Sequence, residues 1–269
     1  MTGFTSVSDN AQYIDGAVRI SNDALIEDHR RLTDICHAHV CPILVQTALG
    51  EYNRLKDGRF ERNVSIDALT HEDIAAIRKL FGSAAIRAKE AGYDGVQVHA
   101  AHGFFLSRFV SPAFNHREDA YGGSTQNRAK LVTEIIGEIR RRVPGLHVSM
   151  KMNCSDFMPA GQRPDQALAF ARAGVNEAYF GNFALALAEE AAVPVVLVGG
   201  LRSLACMEEV LNAGEIQFLS LARPLVREPD LPNRWKSGDT RPSKCISCNM
   251  CYQTPGHFCA MRLFEGEGR

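Results

Sequence analysis

No stretch of this 269-residue chain is apolar over the roughly 20 residues that a bilayer-spanning helix needs. An excess of charge is lacking too. The 30 Lys and Arg against 31 Asp and Glu leave a net charge of −1, which gives nucleic acid or an anionic membrane nothing to hold. The N-terminus, MTGFTSVSDN, has neither a charged start nor an apolar signal core, so the expectation is a cytoplasmic protein. There is no flexible linker and no short-period repeat. The strand ends also lack the set of carboxylates and histidines that a metal-dependent barrel hydrolase would need.

What is present is an alternation of strand-like and helix-like segments. With 45% hydrophobic and 23% charged residues, the chain can bury a full core. Residues 40–46 (VCPILVQ), 95–99 (GVQVH), 146–152 (LHVSMKM), 193–199 (VPVVLVG) and 216–222 (IQFLSLA) read as strands. Residues 71–92, 128–143 and 204–213 read as helices, the second with Leu131, Ile135, Ile136 and Ile139 on one face. NEAYFGNFALALAEEA, before the fourth strand, reads as a further helix. This order predicts parallel βαβ units, and residues 1–239 read as a β/α barrel whose strand C-termini build the site. Residues 240–269 form a polar, cysteine-bearing tail.

Two groups of residues carry the chemistry. His99 ends a strand and His102 follows three residues on. Two imidazoles placed so can polarise one carbonyl or phenolate oxygen, although two histidines satisfied within a loop would give the same spacing. Of the eight cysteines, Cys36, Cys41, Cys154 and Cys206 sit among apolar neighbours and read as small core residues. Cys245, Cys248, Cys251 and Cys259 cluster in the tail at ligand spacing, which suits an Fe–S cluster or tetrahedral zinc, or leaves four free thiols.

The segment GVQVHAAHGFFLSRFVSPAFNHREDAYGGSTQNRAK, residues 95–130, resembles the Old Yellow Enzyme family of FMN-dependent ene-reductases. A strand ending in His, a second His, Gly and an aromatic precede a loop with Asn115, Arg117, Asp119, Tyr121, Gly122, Gly123, Ser124, Asn127 and Arg128. The resemblance implies a TIM-type (β/α)8 barrel that passes hydride from NAD(P)H through FMN to an activated C=C bond. It implies that His99 and His102 hold the substrate oxygen above the flavin and that Gln46 meets the flavin's pyrimidine edge. Lys151 would supply the positive charge beside flavin N1 and O2. Gly199, Gly200, Ala222 and Arg223 resemble the turns that hold the FMN phosphate. By themselves, Gln46 reads equally as a loop-capping residue and Lys151 as an interior lysine paired with a carboxylate. The tail cysteines resemble those of the dienoyl-CoA reductase branch, which hold a [4Fe–4S] cluster; zinc is the alternative.

Three departures from the family qualify these expectations. The start of the chain resembles the end of the family's second barrel strand, so the first strand is missing. The stretch between Met152 and Val193 is short, with the sixth strand missing or degenerate near 174–176. Phe104 stands where many relatives have a proton-donating Tyr, and Phe has no proton to give. An incomplete barrel has open strand edges, which a second copy of the chain would cover. The expected partners are thus a small-molecule substrate and a homo-oligomer. The alternative is a catalytically inactive family member acting as a subunit or binding partner.

Overall fold

Alternating polar and apolar residues give a strand two unlike faces, and the first part of the chain is built on strands of this kind. In the computed structural model, residues 1–10, 16–153, 156, 158, 160–161, 178, 180–248, 250–252, 254 and 258–264 are described. The chain divides into two units, Met1–Arg163 and Pro164–Arg269.

In the first unit, β1 (Phe4–Ser6) and β2 (Val18–Arg19) precede helix α1 (Ile26–Ala38) and β3 (Leu44–Ala48). A hairpin of β4 (Arg54–Lys56) and β5 (Arg59–Glu61) leads to helix α2 (His71–Glu90) and β6 (Gly95–Ala100). Helices α3 (Phe105–Val110) and α4 (Thr125–Arg142) then lead to β7 (His147–Met152). The main sheet runs β2-β1-β3-β6-β7 and every pairing in it is parallel. The outer edge of β1 is met by the two residues of β2, through Thr5 with Val18 and Ser6 with Arg19.

Helix α2 starts where Thr70 and Asp73 form a reciprocal capping box, and acidic residues fill its first turn and basic ones its last. Its buried residues, including Ile74, Ile77, Phe81, Ala84, Ala85 and Ala88, recur at three- and four-residue steps. They join Val45, Val96 and Val98 of the strands and Leu131, Ile135 and Ile139 of α4 in one core. Each large apolar side chain buried there contributes about 1.5–3 kcal/mol. Helix α1 docks differently, because its buried residues are the polar His29 and Thr33. The two ring nitrogens of His29 meet the Tyr93 hydroxyl and the Arg19 carbonyl, each at 2.8 Å.

The second unit holds α5 (Gly181–Glu190), β8 (Val195–Val198), α6 (Leu204–Asn212), β9 (Ile216–Ser220), α7 (Arg223–Arg227), α8 (Leu231–Lys236) and α9 (Met261–Phe264). Strands β8 and β9 pair in parallel. Ala184, Val195, Leu197, Met207, Ile216 and Trp235 share its core. Among the described residues no helix is long and apolar enough to cross a membrane.

The expected α/β fold of parallel strands flanked by helices is present. The strand expected at 40–46 is displaced to Leu44–Ala48. Val40 has φ +54° and is 91% exposed, and its N–H and that of Cys41 bond back to the His37 and Cys36 carbonyls at the end of α1, so Val40 and Cys41 extend a helix end and not a strand. Cys41 is exposed, which overturns its reading as a core residue, and Cys36 and Cys206 are only half-buried. Cys154 and the shortened stretch near 174–176 lie outside the described residues.

Candidate functional site

The face of the first sheet that turns away from the valine core is polar. Register pairs Phe4 with Gln46, Gln46 with Gln97, and Gln97 with Ser149, which makes one row across four strands. Two residues further on, His99 of β6 pairs with Lys151 of β7. Alternation therefore brings Gln46, His99 and Lys151 onto one face at the C-terminal ends of neighbouring parallel strands. Gln46 is nearly buried, and its Nε2 donates to Gln97 Oε1 at 2.7 Å. That bond fixes the amide and leaves Gln46 Oε1 as the acceptor it can offer elsewhere. Sequence reasoning missed Gln97. The available signal was its place two residues before His99 in an alternating strand.

His99 is 2% exposed. Its Nδ1 accepts the Ala101 N–H at 3.3 Å, which assigns the proton to Nε2. Burial, then the charges of His102 and Lys151, push its pKa down to about 3. The His102 ring centroid lies 5.1 Å away with the planes at 75°. His102 keeps more contact with solvent, yet desolvation and then Lys151 lower its pKa too. Phe104 packs against His99 at 4.9 Å and against Phe4 at 4.8 Å. Burial lowers the pKa of Lys151, and among the described residues no carboxylate forms an ion pair with its ammonium. The arrangement presents two neutral imidazole donors beside a desolvated cation.

The depressed His99 pKa has a consequence for stability. Its folded value, about 3, lies below the unfolded value near 6.5. Above pH 6.5 neither state holds the proton and nothing is lost. Between pH 6.5 and about 3 the unfolded chain binds a proton that the folded chain refuses, at a cost of up to about 1.4 kcal/mol per pH unit. Urea midpoints measured from pH 7 to 4 should therefore fall more steeply for the wild type than for His99→Gln. Parallel curves would show that His99 titrates normally.

The loop that carries the family resemblance proves to be a fastening. Arg117 Nη1 donates to the Ile66 and Leu69 carbonyls at 2.9 and 2.7 Å and the guanidinium pairs with Asp119. Asp119 also meets His71, and its carboxyl is held far below the usual range, chiefly by Arg117. Asn115 Nδ2 donates to the Phe109 and Tyr121 carbonyls. Tyr121 and Arg78 converge on Glu134, Ser124 caps α4 through the Asn127 N–H, and Arg128 Nε reaches the Val110 carbonyl. A Cβ on Gly122 would lie 2.0 Å from the Arg117 carbonyl oxygen, so only glycine fits.

In the second unit, Gly199 and Gly200 follow β8 with φ +129° and +72°, and Ala222 follows β9 at the start of α7. Arg223 Nη1 lies 3.5 Å from the Ser247 carbonyl. Its side chain lines a small pocket whose walls also include Arg227, Lys244 and all four tail cysteines, Cys245, Cys248, Cys251 and Cys259. Burial, then Cys245, raise the Cys251 pKa. Among the described residues no three His, Cys, Asp or Glu side chains stand in metal-binding geometry.

The model of the NADH:flavin oxidoreductase / NADH oxidase family matches residues 1–173. The chain is 28% identical over 273 residues to a metal reductase of Desulforamulus reducens, covering 87% of this chain and 41% of the relative. It is 30% identical over 210 residues to an NADH oxidase of Thermoanaerobacter brockii, covering 68% of this chain and 32% of that one. It thus spans less than half the length of either. The fold is like that of histamine dehydrogenase from Rhizobium sp. 4-9, with a TM-score of 0.77 at 24% identity over 92% of this chain and 42% of the other. The matched span takes in the polar sheet face with Gln46, His99, His102 and Lys151 and the whole fastening loop, and by that match the chain belongs to the NADH:flavin oxidoreductase / NADH oxidase family.

Proposed function

We propose that the chain is the FMN-binding part of an NAD(P)H-dependent flavin oxidoreductase that reduces an activated C=C bond, as in an enone or enoate. The observation that carries this reading is the register pair of His99 and Lys151 on a face shared with Gln46, with no carboxylate paired to the lysine among the described residues. A desolvated ammonium with no counter-charge among the described residues fits a cofactor that becomes anionic on reduction. FMN, when bound, supplies the hydride chemistry between NAD(P)H and the β-carbon of the substrate.

The chain's own groups do the rest. Gln46 would meet the polar pyrimidine edge of FMN with the oxygen that Gln97 leaves open. Lys151 offsets the negative charge. His99 Nε2–H and the His102 imidazole donate to the substrate's oxygen and polarise it, without having to lose a proton at neutral pH. Phe104 and Phe4 form an apolar wall, and because Phe104 has no acidic proton the α-carbon takes its proton from solvent. As the family resemblance implies, Gly199, Gly200 and the Ala222–Arg223 turn would offer backbone N–H groups to a phosphate, while the Arg223 guanidinium belongs to the wall of the cysteine pocket.

Anaerobic titration of the purified chain with FMN tests the reading. Saturable quenching of flavin fluorescence is expected, with colour that NAD(P)H bleaches and an enone restores. No saturation at high micromolar FMN would favour the inactive subunit instead. The four tail cysteines line one pocket without standing in metal-binding geometry there, and what supports a [4Fe–4S] cluster or zinc is their sequence spacing and the donor chemistry of four thiolates. We assign iron. Cys245→Ser should abolish iron binding under nitrogen and leave FMN content largely intact; zinc without iron in the wild type would overturn the assignment.

A further inference from the structure

His102 and Gly103 adopt φ +61° and +75°, two left-handed residues in succession, the first of which carries a side chain. L-residues with a β-carbon adopt that conformation rarely, and it persists only where the surroundings impose it. Two side chains impose it here. The His102 N–H donates to Asn153 Oδ1 at 2.9 Å. The next amide, of Gly103, donates to Ser107 Oγ at 3.3 Å. Asn153 Nδ2 closes the ring by donating to the same Ser107 Oγ at 3.1 Å, and it also reaches Asp156 Oδ1 at 3.4 Å. Ser107 is 3% exposed on α3, and Asn153 follows β7 two residues after Lys151. The strand end that supplies the cation thus also supplies the clamp.

We propose that Asn153 and Ser107 are positioning residues that set the His102 imidazole against His99. The proposal rests on the reading of the two histidines as donors to the substrate oxygen. Asn153 suits the task because one amide group both accepts from the His102 backbone and donates to Ser107. A leucine of similar size does neither. An aspartate keeps the acceptor for the His102 N–H, loses the donor to Ser107 and adds a negative charge beside Asp156. Release of the clamp lets residues 102–103 return to ordinary backbone conformations, and the His102 ring then moves away from the edge-on arrangement at 5.1 Å.

The test uses the FMN-loaded full chain and p-nitrophenol, whose phenolate absorbance reports an oxygen held by two N–H donors, without turnover. Misplacing a polar group by about 1 Å can cost as much as 10²-fold. Asn153→Leu should weaken p-nitrophenol binding at least about tenfold at unchanged FMN content, and Asn153→Asp, which keeps the acceptor but adds a charge, should recover part of that loss. Ser107→Ala removes half of the clamp and should weaken binding about threefold, and it serves if Asn153→Leu does not fold. If His102→Ala weakens binding and neither clamp variant does, the positioning role is overturned and the reading of the pair survives. If His102→Ala itself leaves binding unchanged, the reading of the pair fails, and this proposal with it.

Discussion

Replacing His99 and His102 together by alanine should lower enone reduction by about 10³-fold or more, since one donor to a developing oxyanion contributes on the order of 10²–10³. The two single variants should each lose nearly as much as the pair, because groups that hold one oxygen act as a unit. Oxidation of NAD(P)H by dioxygen places no such demand on the imidazoles and should fall far less. The contrast between the two assays is the measurement, made on one preparation of each variant with matched flavin content. Equal loss in both assays would mean that the histidines maintain the sheet end and have no part in holding substrate. The electrostatics sharpen the expectation. With its pKa near 3, His99 is neutral throughout the working range, and the Ala101 N–H on Nδ1 keeps its proton on Nε2. The enone rate should therefore show no inflection from His99 between pH 5 and 8.

Gly122→Ala should destabilise the fold by about 3 kcal/mol, at the upper end for an added carbon in a closed space. The new Cβ would meet the backbone of Arg117 at 2.0 Å, and backbone cannot swing aside as a side chain can. Moving it would pull on Arg117, whose guanidinium ties the Ile66 and Leu69 carbonyls, just before α2, to Asp119. Gly123 is the control. Its φ is +74° and nothing lies within 4 Å of a Cβ there, so Gly123→Ala carries only the backbone penalty of about 1–2 kcal/mol. Urea denaturation of the two variants separates a clash from a conformational cost. Equal shifts would show that the 115–128 loop gives way easily.

Sequence patterning reached the elements that bury an apolar stripe and missed those that dock by polar groups. Helix α2 is legible because its apolar residues recur at helical steps behind a Thr70–Asp73 box. Helix α1 escaped because ALIEDHRRLTDICHAH shows little apolar period, and the residues it buries are His29 and Thr33. The strand start at Leu44 was placed too early because apolar composition marks Val40 and Cys41 as well, while what excludes them is the hydrogen bonding that ends α1. In the candidate site, His99 and His102 stood out as a pair and Lys151 by the family resemblance. Gln97 and Asn153 did not, because their meaning lies in register with Gln46 and in the two bent residues after β6, and neither relation has a sequence signature. The 115–128 motif was conspicuous in the sequence, but only its bonds reveal that it fastens and does not react.

The contact between His29 and Tyr93 bears on how this protein can vary over time. Each of the two buried polar groups answers the other, with the histidine's second nitrogen spent on the Arg19 carbonyl. Loss of the Tyr93 hydroxyl alone strands a buried imidazole nitrogen, at about 1–3 kcal/mol, whereas an apolar exchange at both positions removes the need along with the partner. A lineage that departs from this pair must therefore cross a weakened intermediate or change both positions nearly at once. Positions 29 and 93, which are 64 residues apart in the chain, should be inherited as a couple.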